Sequence, residues 1–292
     1  MPVRGSCLCG DFRFEIEPPF EMLASCHCSM CRRAHGAAFA TYLVVGAGAL
    51  RRTGEARSVL RYDSSPGAHR SSCARCGSVV PYEAPDGRHW YVPAGLLDDD
   101  PGIRPQAHIF ADSKAPWHEI SDALPRFEGY PPGMGEAFAA KRTTEPSLGR
   151  VRGGCLCGAV AYEIDAPIEG PLVCCHCSRC RKARGAAHAS NLFTGTSSFR
   201  WLRGEERLRA YRVPEALRFT HVFCGVCGSS LPRVDPERGR TVVPAGTLED
   251  DPGIREGLHI FVGSKAPWFE IVDHLPRHDS YPPGAFPPPE TR

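Results

Sequence analysis

The sequence has no apolar run near the ~20 residues that a membrane-spanning helix requires. No membrane-spanning helix is therefore expected among these residues. Charge of one sign is also lacking, since 35 Lys and Arg oppose 33 Asp and Glu for a net +2. So balanced a mixture gives no electrostatic reason to expect nucleic acid or an anionic membrane as partner. Nor does an apolar signal core follow the first methionine. Met1-Pro2-Val3-Arg4-Gly5-Ser6 runs straight into Cys7, and a cytoplasmic location is the expectation.

What is present is cysteine, 15 residues in 292. Fourteen of them fall into one pattern that occurs twice. The first copy is Cys7, Cys9, Cys26, Cys28, Cys31, Cys73 and Cys76, and the second is Cys155, Cys157, Cys175, Cys177, Cys180, Cys224 and Cys227. Only Cys174 is left over. A reducing cytoplasm keeps thiols free for metal, whereas a disulfide framework suits an oxidising compartment. Gaps of one and two residues let neighbouring sulfurs converge on one tetrahedral ion, so the expected metal is Zn²⁺.

The repeat sets the organisation. Cys7 matches Cys155 at an offset of 148, Cys26 matches Cys175 at 149, and Cys73 matches Cys224 at 151. Each unit is about 130–140 residues, a normal size for a domain with its own core. We expect domain one over residues 2–133, a linker over 134–149, domain two over 150–283 and a Pro-rich tail over 284–292. Strand signals dominate. Phe12, Phe14 and Ile16 alternate with polar residues, as do Val160, Tyr162 and Ile164. Short apolar or β-branched runs at 38–45, 58–62, 78–82, 90–92 and 107–110 recur at 187–193, 208–212, 218–223, 241–243 and 258–262. Short helices are expected at 30–34 and 179–183. The fold class is mainly β, a duplicated zinc domain of small twisted sheets with short helices.

Two kinds of cluster are present. Cys73-Ala-Arg-Cys76-Gly77 and Cys224-Gly-Val-Cys227-Gly228 are zinc knuckles, each needing two more ligands. Cys7 with Cys9, and Cys155 with Cys157, are the natural partners in their own copies, though spacing does not decide which pairs meet. The other kind puts three thiols within six residues, at Cys26, Cys28 and Cys31 and at Cys175, Cys177 and Cys180. Three protein ligands with one open position are the mark of a reactive zinc. Three thiolates already over-neutralise the ion, and a sulfur-rich site favours a further sulfur. An incoming small thiol would lose its proton there and stay nucleophilic. Two other readings stand beside this one. His27 or His176 could complete a second structural site, or the thiols could form a redox switch that includes Cys174.

Four motifs recur in the same order: Gly5-Ser-Cys-Leu-Cys-Gly10, Cys26-His-Cys-Ser-Met-Cys-Arg-Arg-Ala-His-Gly-Ala-Ala-Phe39, Cys73-Ala-Arg-Cys-Gly77 and Ser113-Lys-Ala-Pro-Trp117. Their second set begins at Gly153, Cys175, Cys224 and Ser264. This chain resembles the glutathione-dependent formaldehyde-activating enzyme family, which includes centromere-protein-V-like proteins. The resemblance implies tandem β-tent domains. It implies a structural zinc on Cys7, Cys9, Cys73 and Cys76 and another on Cys155, Cys157, Cys224 and Cys227. It implies catalytic zinc on Cys26, Cys28 and Cys31 and on Cys175, Cys177 and Cys180, four zinc ions per chain in all. The implied activity is that of a carbon–sulfur lyase joining glutathione, or an analogous small thiol, to formaldehyde or a related small aldehyde. The family is usually a single domain. Phe39 is replaced by His188 and His35 by Arg184 in the second copy, so the surroundings of the two trios are expected to differ. A zinc-stapled module that binds a protein partner is the alternative from another class.

Other candidates carry two readings each. Arg32-Arg33 and Arg181-Lys182 could grip substrate carboxylates or form a solvated helix face. Trp117 with Lys114, and Trp268 with Lys265, could wall a pocket or anchor a loop. His108 and His259 could shuttle a proton or be hydrogen-bonded strand residues. Asp98–Asp100 and Glu249–Asp251 read as turns and not as a calcium loop.

Overall fold

Strands are the commonest regular element among the described residues, and several bury alternate residues. In Arg13–Ile16 the Phe14 and Ile16 side chains point inward, and Arg13 faces solvent. The structure is a computed structural model and describes residues 1–54, 58–132 and 149–284. Apart from Gly149 and Gly284, the expected linker and tail lie outside the described residues.

Each copy builds three sheets among the described residues. In the first copy, Val3–Ser6, Arg13–Ile16 and Leu50–Arg52 form one sheet. Val59–Ser65, Ala68–Cys73 and Val79–Val80 form another. The central sheet runs Ala107–Ile109, Phe20–Cys26, Ala40–Gly46, His89–Pro93 and Tyr82–Glu83. The second copy repeats this plan with a six-stranded central sheet centred on Leu172–Cys175 and Ala189–Gly195. The fold is mainly β, with only two α-helices among the described residues. None of the described helices is long and apolar enough to cross a membrane.

Some expected elements shift. The 78–82 run divides into two short strands on either side of Pro81, because proline has no N–H for the ladder. The runs ending at Phe110 and beyond Phe261 stop earlier, at Ile109 and Ile260. Phe110 and Phe261 take left-handed backbone, at φ 53° and 57°.

The two helices, α1 (Ser29–His35) and α2 (Ser178–Arg184), begin on a cysteine and end on a glycine. The Cys28 and Cys177 sulfurs accept the backbone N–H of Cys31 and Cys180, both at 3.4 Å. Gly36 and Gly185 close the helices at φ 61°, which glycine adopts without steric cost.

The core does not divide between the copies. One continuous apolar cluster holds Phe14, Ile16, Leu43, Val92 and Trp117 together with Tyr162, Ile164, Leu192, Val243 and Trp268. The expectation of a separate core for each unit is therefore corrected. The reason is reciprocal docking. Helix α1 packs on the turn Ala245–Thr247 of the second copy, and α2 packs on the equivalent turn, Ala94–Leu96, of the first. Contacts of this two-way kind are those of an approximate two-fold dimer interface, here within one chain.

Candidate metal centres and their surroundings

Four cysteines gather in each copy. Cys7, Cys9, Cys73 and Cys76 form one group, and Cys155, Cys157, Cys224 and Cys227 another, with the sulfurs of each within 4.8 Å of one another. Adjacent sulfurs lie 3.5 Å (Cys7–Cys9), 3.7 Å (Cys9–Cys73), 3.4 Å (Cys155–Cys157) and 3.8 Å (Cys157–Cys224) apart. Four ligands at a Zn–S distance of ~2.3 Å would stand ~3.8 Å apart in a tetrahedron, so these groups could hold zinc. The sulfurs also accept donors suited to thiolate. Phe12 N–H reaches Cys7 at 3.3 Å, and Val160 N–H reaches Cys155 at 3.2 Å. Each tetrad ties the N-terminal sheet of its copy to the strand that ends at Cys73 or Cys224.

Cys26, Cys28 and Cys31 form a trio, and Cys175, Cys177 and Cys180 form its counterpart. His27 and His176 join neither. His27 Nε2 lies 2.8 Å from His108 Nδ1, and His108 Nε2 lies 2.9 Å from the Asp122 carboxylate. Because Asp122 must accept, His108 carries its proton on Nε2 and accepts from His27 Nε2–H. The second copy repeats the chain through His176, His259 and Asp273, at 2.8 Å and 3.0 Å. Register explains the pairing, since Ala107–Ile109 runs parallel to Phe20–Cys26 and sets His108 opposite Ser25. Both ring nitrogens of His108 and of His259 are thus engaged, which favours the hydrogen-bonded strand reading. Burial, then the neighbouring His118 and His108, hold the His27 imidazole well below its ordinary range. Burial and His188 push His176 down to about 2.

The trios differ in cover. Cys26, Cys28 and Cys31 are all buried, in a cluster with Tyr42, Tyr82 and Phe110, against which Met30, Tyr91 and Tyr130 pack. Arg70 lies in the same place. Its guanidinium donates to Tyr42 and Tyr82, both at 3.2 Å, and to Cys31 Sγ at 3.5 Å. Burial alone would lower Arg70, but Cys31 and the tyrosines raise it overall. In the second copy Asn191, Arg233, Val242 and His221 stand where the first has Tyr42, Tyr82, Tyr91 and Arg70. Cys177 and Cys180 are partly exposed there.

The basic helix ends are not the solvated helix face that one reading expected. Arg32, Arg33 and Arg181 are buried, not solvated. Arg33 pairs with Glu249 of the second copy at 2.9 Å, and Lys182 pairs with Asp98 of the first at 2.5 Å. Arg32 donates to the carbonyls of His27 and Ser113. The acidic turns supply the partners for these cross-copy pairs and also bind Arg4 and Arg152. Trp117 and Trp268 are buried, and Lys114 and Lys265 donate to the His118 and Phe269 carbonyls of their own loops. They anchor loops.

A cluster at the seam between the copies contains residues that motif reading passes over. Glu256 Oε2 accepts from His118 Nδ1 at 2.7 Å, and its Oε1 lies 3.3 Å from Cys174 Sγ and 3.2 Å from Ser190 Oγ. His118 stacks on His27 with centroids 5.7 Å apart, and His188 meets Phe39 edge-on at 5.5 Å. Burial alone would raise the Glu256 carboxyl, but His118 holds it at about 2. The signal that could have found this cluster is divergence between aligned copies, not any motif.

This arrangement of tetrads, trios and repeated sheets defines a duplicated cysteine-rich β domain able to hold metal. Residues 2–113 and 150–264 match the family model described as glutathione-dependent formaldehyde-activating enzyme, and the chain belongs to that family. A Halomonas elongata protein, named provisionally as such an enzyme, is 34% identical over 128 residues, covering 41% of this chain and 80% of the relative. A crystal structure of a Rhodobacter sphaeroides protein is 30% identical, covering 34% of this chain and 87% of that one, at a TM-score of 0.27.

Proposed function

We propose that this chain is a zinc-dependent carbon–sulfur lyase that joins a small thiol, glutathione or an analogue, to formaldehyde or a related small electrophile, or cleaves the adduct. The observation that carries this reading is the pair of three-thiol groups in a chain of this family. Cys7, Cys9, Cys73 and Cys76, and Cys155, Cys157, Cys224 and Cys227, would each hold a structural zinc. Cys26, Cys28 and Cys31, and Cys175, Cys177 and Cys180, would each hold a zinc with a position left for substrate. Bound there, zinc supplies a soft Lewis acid that keeps a thiol deprotonated near neutral pH. The reading places this chemistry in the cytoplasm, where thiols stay reduced.

The two trios are not equivalent in this proposal. The second would carry most of the turnover, and what supports this is the partial exposure of Cys177 and Cys180. The first is closed by tyrosines and by Arg70, whose positive charge offsets the negative charge of the sulfurs. The test is formaldehyde–glutathione exchange followed by NMR. Exchange by the zinc-loaded protein should exceed the uncatalysed rate and disappear in the double variant Cys28→Ala/Cys177→Ala. Cys177→Ala alone should remove the larger share. No acceleration by the zinc-loaded wild type would reject this substrate pair.

A further inference from the structure

The copies diverge at three positions that converge on one point. Where the first copy has Ser25, Phe39 and Pro105, the second has Cys174, His188 and Glu256. The Cys174 sulfur, a His188 ring nitrogen and a Glu256 carboxylate oxygen all lie within 4.8 Å of one another. We propose that Cys174, His188 and Glu256 form an additional zinc site at the seam between the copies, separate from the tetrads and trios.

The donor chemistry fits. Thiolate, imidazole and carboxylate are the three ligand types that zinc takes from proteins. Bonds of ~2.3 Å to sulfur and ~2.0 Å to oxygen at a tetrahedral angle place the two donors ~3.5 Å apart. Cys174 Sγ and Glu256 Oε1 are 3.3 Å apart. The supporting contact is also built, because the other carboxylate oxygen is held by His118 of the first copy. Successive residues of a strand face opposite ways. Within Leu172–Cys175 this directs Cys175 to its trio and Cys174 to the seam.

A second observation points to a ligand. His188 is only 4% exposed, and its Nδ1 is buried without a hydrogen-bond partner. A purely hydrogen-bonded plug would account for Glu256, which accepts from His118, Cys174 and Ser190. It would give no reason for replacing the apolar Phe39 equivalent with a buried histidine at the same point. A cation bound by all three side chains gives that reason.

The test counts metal on the full chain. Wild type and Cys174→Ser/His188→Phe are loaded with excess Zn²⁺, dialysed together, and analysed for zinc per protein by mass spectrometry. The double variant gives the second copy the residues that the first copy already carries at these positions. We expect it to bind one equivalent fewer than wild type and to keep its circular dichroism spectrum. Glu256→Gln should show the same loss, and it decides the matter if the double variant fails to fold. Equal zinc in wild type and either folded variant overturns the site. The readout is a difference, so it is unaffected if the trios hold fewer ions than proposed. Such a shortfall would lower the totals in wild type and variants alike.

Discussion

Gly246→Ala should separate the copies slightly and weaken the whole fold. Gly246 lies in the turn that meets α1, and a methyl group there would sit 2.4 Å from Ala37 N, Ala37 O and Arg32 O. Ordinary contact begins near 3.4 Å, so the turn and the helix end must part by about 1 Å. All three obstacles are backbone atoms, and no side chain can rotate away to relieve them. Overpacking of this kind costs about 1–3 kcal/mol. A Gly→Ala change returns about 0.4–1 kcal/mol by restricting the unfolded chain. The expected net loss is about 1.3 kcal/mol, or roughly tenfold in the ratio of folded to unfolded protein. The two-fold counterpart, Gly95→Ala, meets Ala186 N at 2.3 Å and Ala186 O at 2.4 Å, so it should behave alike. The pair combined should cost less than the sum, because the first substitution already opens the shared seam. Gly48→Ala is the control, with nothing within 4 Å of its methyl position. Urea unfolding of the zinc-loaded proteins provides the measurement. If Gly246→Ala unfolds at the same urea concentration as Gly48→Ala, the copies are not held by this docking.

Three more outcomes follow from the same geometry. His35 links the copies through Arg184 O at 2.6 Å and accepts from Tyr42 O–H at 2.7 Å, so it must be neutral, and burial holds it at about 4. The unfolded chain therefore takes up this proton first. The contribution, about 3 kcal/mol, is complete above pH 6.5 and is lost as pH falls toward 4. The stability advantage of wild type over His35→Gln should shrink across that window, and a constant difference would refute the assignment. Glu249→Gln removes the charge opposite Arg33, whose side chain is 8% exposed. It should cost about 2 kcal/mol, and Arg33→Met/Glu249→Gln should recover part of the loss in a double-mutant cycle. Chelation should strip zinc first from the partly exposed Cys175–Cys177–Cys180 trio and abolish exchange before the circular dichroism changes. Simultaneous loss of activity and fold would contradict the division into structural and reactive ions.

Much of the site could be read from spacing alone. Cys26, Cys28 and Cys31 lie within six residues, and a short turn leading into α1 can bring them together without help from distant chain. The same holds for each Cys-x-x-Cys knuckle. Alternation in Arg13–Ile16 gave the buried face of that strand, and the doubled motif gave the duplication. Local geometry is enough in each of these cases, because the interacting groups are fixed by the dihedrals of a few residues.

Pairings between the copies could not be read in this way. His118 meets Glu256 across 138 residues of sequence, and Arg33 meets Glu249 across 216. Each residue alone looks like an ordinary surface charge. The pairs exist because the duplicated units dock face to face, which buries the ends of α1 and α2 and turns their basic residues into cross-links. Cover is decided at the same level. The two trios have the same cysteine spacing, and one is closed while the other is partly open because Tyr42, Tyr82, Tyr91 and Arg70 arrive from separate strands of the first copy. Their counterparts Asn191, Arg233, Val242 and His221 do not close the second. The sequence by itself determined which sulfurs gather within each trio and each knuckle, because short chain segments hold them. The tertiary structure alone decided which knuckle meets which distant cysteines, how far each trio is covered and what the copies build between them, because packing between distant strands sets all three.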